Sequence, residues 1–381
     1  MVEGPYTSVE ICAGAGGQAI GLHQAGFKHR ALVEIDPWAC KTLRSNAAAL
    51  GGNASIVHRL DLTRFVPDCD DREPGEFGLT ELGVAKGEID LLAGGVPCPP
   101  FSFAGKQLGE DDERDLFPVM LELVEALAPK AVMIENVRGL LEPERRFSAY
   151  RMRILERLRS LGYEPLAWEI LEAQDFRVPQ LRPRAILVAM QSSYAPHFAG
   201  MPKGDPDGTA TAWEALNGSM LVRFGALRGT EFEEQAERAK QRWVERGRTV
   251  GGVAPTLVGG SKKHGGADLG PTRAKKAWAA MGVNAMGVAD SDPLSKPERH
   301  LLRDEGPMLT VEQAAIIQGF PSSWNFEGPK TAAYRQVGNA FPPPVAEAVG
   351  KAILAALKAG SSESGVQPDG ASSAAELLSA V

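Results

Sequence analysis

The chain has 381 residues, 44% of them hydrophobic and 23% charged, with a net charge of −7. That is an ordinary globular composition, long enough for two domains. No apolar run is long enough to span a bilayer, and residues 1–7 lack the basic and apolar regions of a signal peptide. The four cysteines, Cys12, Cys40, Cys69 and Cys98, show no paired spacing of a zinc or redox site. These features predict a cytoplasmic protein with reduced thiols and no membrane partner. The acidic balance excludes a uniformly basic nucleic-acid binder but not a local basic surface.

Ser8–Ala13 reads as a first strand, followed by the turn Gly14-Ala15-Gly16-Gly17 and a helix over Gln18–Ala25 that Gly26 closes. Ala31–Ile35 reads as a second strand carrying Glu34. Asp36-Pro37 then opens a helix, with Asp36 as its cap and Pro37 at its first position. Strands are expected at Ser55–Leu60, Ile89–Ala93, Ala131–Ile134, Tyr163–Leu171 and Ala185–Met190. Helices are expected at Phe117–Leu127 and near Glu144–Leu161. This alternation predicts an α/β fold with a mostly parallel sheet covered on both faces. From Gln191 to about Met308 the rhythm breaks, and the segment becomes rich in Gly, Pro and charge. Helical patterning returns at Thr310–Ile317, with Thr310 as cap, and at Pro344–Ala359. Residues from Gly360 on are rich in Ser, Gly and Ala and are expected to be disordered.

Several segments at strand ends carry residues suited to chemistry. Gly94-Gly95-Val96-Pro97-Cys98-Pro99-Pro100 leaves a buried strand through two glycines and presents a thiol between prolines. Prolines stiffen the loop, which suits a nucleophile, although an isolated cysteine is more often a small buried hydrophobe. Gly14-x-Gly16-x-x-Ala19 with Glu34 fits a dinucleotide fingerprint, and equally a methyl-donor nucleoside whose ribose diol Glu34 accepts. Glu135 follows a strand and could move a proton. Arg182 and Arg184 are two apart at a strand entrance and share a face.

Taken in this order, these segments resemble the DNA cytosine-5 methyltransferases. Glu10-Ile11-Cys12-Ala13-Gly14-Ala15-Gly16-Gly17 is similar to the family's first cofactor motif. Pro97-Cys98-Pro99-Pro100-Phe101-Ser102 is similar to its nucleophile loop, Glu135-Asn136-Val137 to its third hallmark and Gln180-x-Arg182-x-Arg184 to its fourth. Gln318-Gly319-Phe320-Pro321 and Gln336-Val337-Gly338-Asn339-Ala340-Phe341 resemble the closing motifs. The chain departs from the family pattern at Glu10 (usually Asp), Cys12 (usually aromatic) and Pro99 (usually Gln).

The resemblance implies a Rossmann-like methyltransferase fold that uses S-adenosyl-L-methionine, with a smaller inserted DNA-recognition domain. The expected division is residues 1–190 for catalysis and cofactor, 191–309 for recognition, 310–359 folding back onto the catalytic part, and 360–381 as tail. Cys98 would add to cytosine C6 and make C5 nucleophilic toward the sulfonium methyl. Glu135 would hold N3 and the amine, and Arg184, with Arg182 in support, would neutralise charge at O2. No metal is required. The base would be flipped from the duplex, and residues 104–117 would close on it. The cofactor site would collect Gly14, Gly16, Gly17, Glu34, Ile35, Asp61, Leu62, Gly95, Leu116, Asn339 and Ala340.

The inserted region is the expected DNA reader. It carries Arg238, Lys240, Arg242, Arg246, Arg248, Lys262, Lys263, Arg273, Lys275 and Lys276, opposed within that run only by Glu245 and Asp268. Thr256, in Pro255-Thr256-Leu257, resembles a recurring recognition segment; Thr256, Lys262, Lys263 and Arg273 are the expected DNA contacts. The expected partner is double-stranded DNA, with the chain acting as a monomer, either beside a restriction endonuclease of the same specificity or as an orphan methyltransferase. Three other readings compete: a transfer-RNA methyltransferase on this scaffold, a nicotinamide dehydrogenase, and a non-catalytic DNA-binding relative. The dehydrogenase leaves Cys98, Glu135 and Arg184 unexplained. Intact Cys98 and Glu135 oppose the non-catalytic one.

Overall fold

The computed structural model describes residues 6–67, 71–97, 115–259 and 267–364. β1 (Thr7–Ile11) gives way to α1 (Gly17–Ala25) through a turn in which Gly14 and Gly16 take φ of +55° and +89°. Residues with a Cβ rarely adopt such angles, so glycine is what lets the chain reverse so tightly. β2 (Lys28–Glu34) leads to α2 (Pro37–Ser45), and the Asp36 carboxylate accepts from Trp38 N and Ala39 N as its cap. β3 (Val57–Arg59) is shorter than expected, because Asn53 caps Ser55 N and residues 54–56 coil into a 3-10 turn.

The chain continues through α3 (Leu79–Leu82), β4 (Leu91–Gly94), α4 (Phe117–Leu127) and β5 (Ala131–Val137). α5 (Ser148–Ser160), β6 (Tyr163–Glu172) and β7 (Pro183–Gln191) follow. The sheet order is β3-β2-β1-β4-β5-β7-β6, with β7 antiparallel to both neighbours and the other pairings parallel. β5 runs past the expected Ile134 because its ladder with β7 continues to Val137↔Arg184. Glu135 therefore sits inside the strand. α5 starts four residues later than expected, after a turn that Arg151 ties by donating to Leu140 O and Glu144 O.

The region after β7 is mainly helical, which its Gly and Pro content concealed. It holds α6 (Ala212–Gly225), α7 (Glu233–Val250), α8 (Thr272–Ala280) and α9 (Pro297–His300). α10 (Val311–Gln318), capped by Thr310 as expected, α11 (Lys330–Asn339) and α12 (Pro343–Ser364) complete the chain. α12 runs beyond Gly360, so the helix ends later than the composition suggested, and 365–381 lie outside the described residues. Leu123, Val124, Ile154 and Leu158 cover one sheet face, and Leu22, Val349 and Ile353 of α1 and α12 cover the other. α1 and α12 touch at Gly21, where an added Cβ would lie 2.3 Å from Pro343 O. A third apolar cluster is continuous from Leu216 and Trp278 of the helical region to Ile317, Tyr334, Ala19 and Leu43. The helices after β7 thus share their core with the C-terminal helices and with α1 and α2.

A buried polar clasp joins these parts. Arg182 is 1% exposed and donates to Leu257 O (2.8 Å), Gly338 O (3.0 Å) and Ala340 O (2.8 Å). Gln180, also buried, accepts from Leu257 N (2.8 Å) and donates to Gln318 Oε1 (2.6 Å). Arg182 satisfies main-chain carbonyls of two distant segments. Burial and the nearby Arg184 both work against its charge, and Glu135 favours it. Arg182→Ala strands those acceptors, and the expected loss is about 3–5 kcal/mol in urea unfolding. A wild-type midpoint in the variant would remove the clasp from the stability account.

His29 is a second buried polar anchor. Ala19 O can only accept, so Nε2 donates to it (2.9 Å), and Nδ1 accepts from the Ser8 hydroxyl (2.9 Å). The ring is therefore neutral, and burial lowers its pKa from 6.5 to about 4. Stability from this group is fully present above pH 6.5 and is lost as the pH falls through 4, because the unfolded chain takes the proton first. The expected loss over that window is roughly 3 kcal/mol. Urea unfolding of His29→Gln should show a correspondingly smaller acid slope; an unchanged slope would assign the titration to another group.

Candidate active site

The register of the sheet assembles the site. Ile11 pairs with Gly94, and Gly94 with Ile134, so Cys12, Gly95 and Glu135 each follow at the same edge. This is the carboxyl edge of the parallel strands, where open α/β sheets place their ligands. β7 runs the other way and begins at this edge, with Arg184 opposite Val137.

Arg184 Nε donates to Glu135 Oε1 at 2.6 Å, and both side chains are 14% exposed. Arg184 Nη1 also donates to Pro183 O (2.8 Å). Burial lowers the Arg184 pKa, and the Glu135 carboxylate opposes that shift. A Cβ on Gly95 would lie 2.9 Å from Glu135 Oε2. Glycine is needed there because the carboxylate passes directly over the stem of the cysteine loop. Asn136 points to the other face and donates from Nδ2 to Val96 O (3.0 Å). Asn136, absent from the expected site residues, thus fixes the stem that Glu135 overlies. Cys98 and residues 99–114 lie outside the described residues. Past them, Asp115 caps α4 through Phe117 N (3.0 Å) and accepts from Tyr150 Oη (2.5 Å). Leu116 packs in the same apolar cluster as Cys12 and Leu62.

The turn after β1 forms the adjacent pocket edge. Glu34 Oε2 accepts from Gly14 N (2.7 Å), and Oε1 accepts from Ile35 N (2.9 Å) and Asp36 N (2.8 Å). Burial raises the Glu34 pKa, and these three donors hold it back. Ile35 is 57% exposed and offers an apolar surface beside the carboxylate. Asp61 is exposed, and its Oδ1 accepts from Thr63 N (3.0 Å) and Thr63 Oγ1 (2.8 Å). The C-terminal motif closes over the turn. A Cβ on Gly17 would lie 2.2 Å from Phe341 O, and Trp324 Nε1 donates to Ala15 O (3.0 Å). Ala340 is thereby set against Gly17, and Asn339 lies against Gly259.

Buried polar atoms around this turn lack partners. Glu10 is 1% exposed with Oε2 unpaired, and Gln18 is 4% exposed with both amide atoms unpaired. Burial, then Glu34, holds the Glu10 carboxyl well above the usual range. Such orphan groups signal a missing partner. A cationic ligand with hydroxyl and amino donors satisfies two converging carboxyls. S-adenosyl-L-methionine has both features and lacks the pyrophosphate that this acidic edge would repel, so the residues present fit it.

The segment around Ala254–Leu257 lies against the same edge. Leu181 N donates to Ala254 O (2.7 Å), and the Thr256 hydroxyl donates to Leu181 O. Thr256 is half-buried and uses its hydroxyl to hold this segment beside the strand entrance of Arg184. Much of the basic run is paired. Arg238 meets Glu234, Lys240 meets Glu237, Arg242 meets Asp304 and Lys275 meets Asp268. Arg246 reaches the carbonyls of Ala279 and Ala280 at the end of α8. The linear excess therefore overstates the local positive surface. Arg273 is exposed on α8, and Lys262 and Lys263 lie outside the described residues.

The sequence matches the C-5 cytosine-specific DNA methylase family over residues 6–355. It is 51% identical over 352 residues to the type II methyltransferase M.NaeI of Lentzea aerocolonigenes, covering 92% of this chain and 75% of that one. It is 43% identical over 357 residues to M.NgoMIV of Neisseria gonorrhoeae, covering 93% and 98%. Among solved structures, the methyltransferase EhMeth of Entamoeba histolytica shares the fold at a TM-score of 0.59 and 14% identity, over 93% of this chain and 99% of that one. With the motifs gathered at one sheet edge and the family matched over nearly the whole length, the chain belongs to the C-5 cytosine-specific DNA methylases and is a DNA cytosine-5 methyltransferase.

Proposed function

We propose that the chain methylates C5 of a flipped cytosine within a specific sequence of duplex DNA, alongside a restriction endonuclease of the same specificity, and that it does so as a monomer in the cytoplasm. The observation that carries this reading is the Glu135–Arg184 pair lying over Gly95, at the edge that also holds the glycine turn. Glu34, Ile35, Asp61, Leu62, Leu116, Asn339 and Ala340, with Gly14, Gly16, Gly17 and Gly95, hold S-adenosyl-L-methionine. Bound there, that group supplies the methyl to be transferred. The Cys98 thiolate adds to C6 of the flipped base and raises electron density at C5; once C5 carries the methyl group, loss of its proton and elimination of the thiolate from C6 release 5-methylcytosine and free Cys98. Glu135 holds N3 and the exocyclic amine and stabilises the developing charge, and its orientation is fixed by Arg184, which faces O2. Arg182 acts as a positioning residue by clamping Leu257 and Ala340 behind the site. Thr256, Lys262, Lys263 and Arg273 contact the DNA on the recognition side. Residues 1–190 carry the chemistry, 191–309 the reading of sequence, and 310–359 the return to the cofactor. Relatives called type II methyltransferases favour DNA over transfer RNA as substrate.

The deciding experiment incubates the protein with labelled S-adenosyl-L-methionine and either duplex DNA or transfer RNA, then maps 5-methylcytosine. Cys98→Ser is expected to abolish turnover while leaving cofactor affinity nearly intact. With wild type, a duplex carrying 5-fluorocytosine should give a denaturation-resistant adduct only when the cofactor is present. Turnover by Cys98→Ser within tenfold of wild type would remove the thiol from the mechanism.

Glu34→Ala is expected to weaken cofactor binding by roughly 1.5–3 kcal/mol, the scale of hydrogen bonds to a charged group. Glu34→Gln keeps the shape and one acceptor and should lose less. DNA affinity without cofactor, measured by anisotropy, should change little in either variant. Equal losses in both assays would make Glu34 a structural support of the turn.

A further inference from the structure

The segment from Arg138 to Arg159 holds seven arginines and three glutamates in a chain whose net charge is −7. It begins at the active-site edge, because Arg138 follows Val137, the β5 partner of Arg184. Arg138 also acts electrostatically on Glu172, where β6 ends. α5 runs away from this edge, so Arg145, Arg146 and Arg153 lie nearer to it than Arg159. Further along the helix, Arg157 pairs with Glu125 of α4 (2.5 Å).

The part near the edge is held in place. Arg151 ties the turn through Leu140 O and Glu144 O, and Tyr150 is bound to Asp115. Arg145, Arg146 and Arg153 are exposed. The Arg146 guanidinium lies 5.3 Å from the Phe147 ring centroid, and that of Arg153 lies 5.9 Å from the Tyr150 ring. Such stacking orders a guanidinium without removing it from water, and its flat fork suits phosphate. Glu142, a nearby carboxylate, is paired with Arg138.

We propose that Arg145, Arg146 and Arg153 form a phosphate-contact surface on the catalytic side of the cleft, which takes the DNA backbone flanking the target cytosine. This rests on the DNA methyltransferase reading. A base can be extruded only if the backbone beside it is held, and phosphate contacts hold register without reading sequence.

The test is the salt dependence of duplex DNA binding by the full chain, measured by anisotropy between about 50 and 200 mM salt. R145A/R146A is expected to flatten the log–log slope by about two units, and R153A by about one. The mapped methylation sequence should stay the same in both. R159A, farther from the edge, should keep the wild-type slope. Wild-type slopes in R145A/R146A and R153A, with melting temperatures unchanged, overturn the proposal. So does an unchanged DNA slope in a double variant that has lost binding to poly-glutamate, which would assign the patch to an acidic protein. Failure of the wild-type chain to transfer methyl groups to DNA would sink the functional reading itself, whatever the slopes.

Discussion

The guanidinium of Arg182 fixes the relation between the three parts of this protein. It sits in the interior with carbonyls of Leu257, Gly338 and Ala340 around it, so one side chain meets both the recognition segment and the C-terminal motif. Gln180 doubles the connection through Leu257 N and Gln318. A buried charge requires compensation, and these carbonyls supply it at both Nη atoms. The relation of these segments is therefore set by a polar lock as well as by the shared apolar cluster.

Alternation along extended chain separates structural duties from chemical ones. Gln180 and Arg182 turn inward, while Leu181 between them is 45% exposed. Glu135 meets Arg184 on one face of β5, and Asn136 holds Val96 on the other. Two adjacent side chains thus fix a carboxylate and the stem of the cysteine loop beneath it. Close approach is allowed only by glycine, at Gly95 under Glu135 and at Gly17 under Phe341. The same logic leaves Glu10 and Gln18 unpaired around the turn, where a bound cation can supply what the protein does not.

Much of the site was legible in one dimension because it is built from short rigid motifs at strand ends. Asp36-Pro37 gave the α2 cap, and Thr310 gave the α10 cap, since capping depends on local chemistry alone. The helices between residues 212 and 280 were not legible. Their apolar faces, such as Ala236, Ala239 and Trp243, are buried by distant partners, and glycines and charges mask the period. Charge was also misjudged by linear counting, because Arg242 finds Asp304 only across the fold.

The sequence alone determined the family, the α/β alternation and the identity of the chemical groups, because these reside in contiguous motifs whose residue types the chemistry demands. Tertiary structure decided which arginine meets the carboxylate. Arg182 and Arg184 look equivalent in the motif, yet the register of β5 on β7 brings Arg184 to Glu135 and leaves Arg182 among carbonyls. It also decided that Ala340 and Phe341 close over a turn three hundred residues earlier. Contacts between distant segments depend on which surfaces can be buried together, and local sequence holds no record of that.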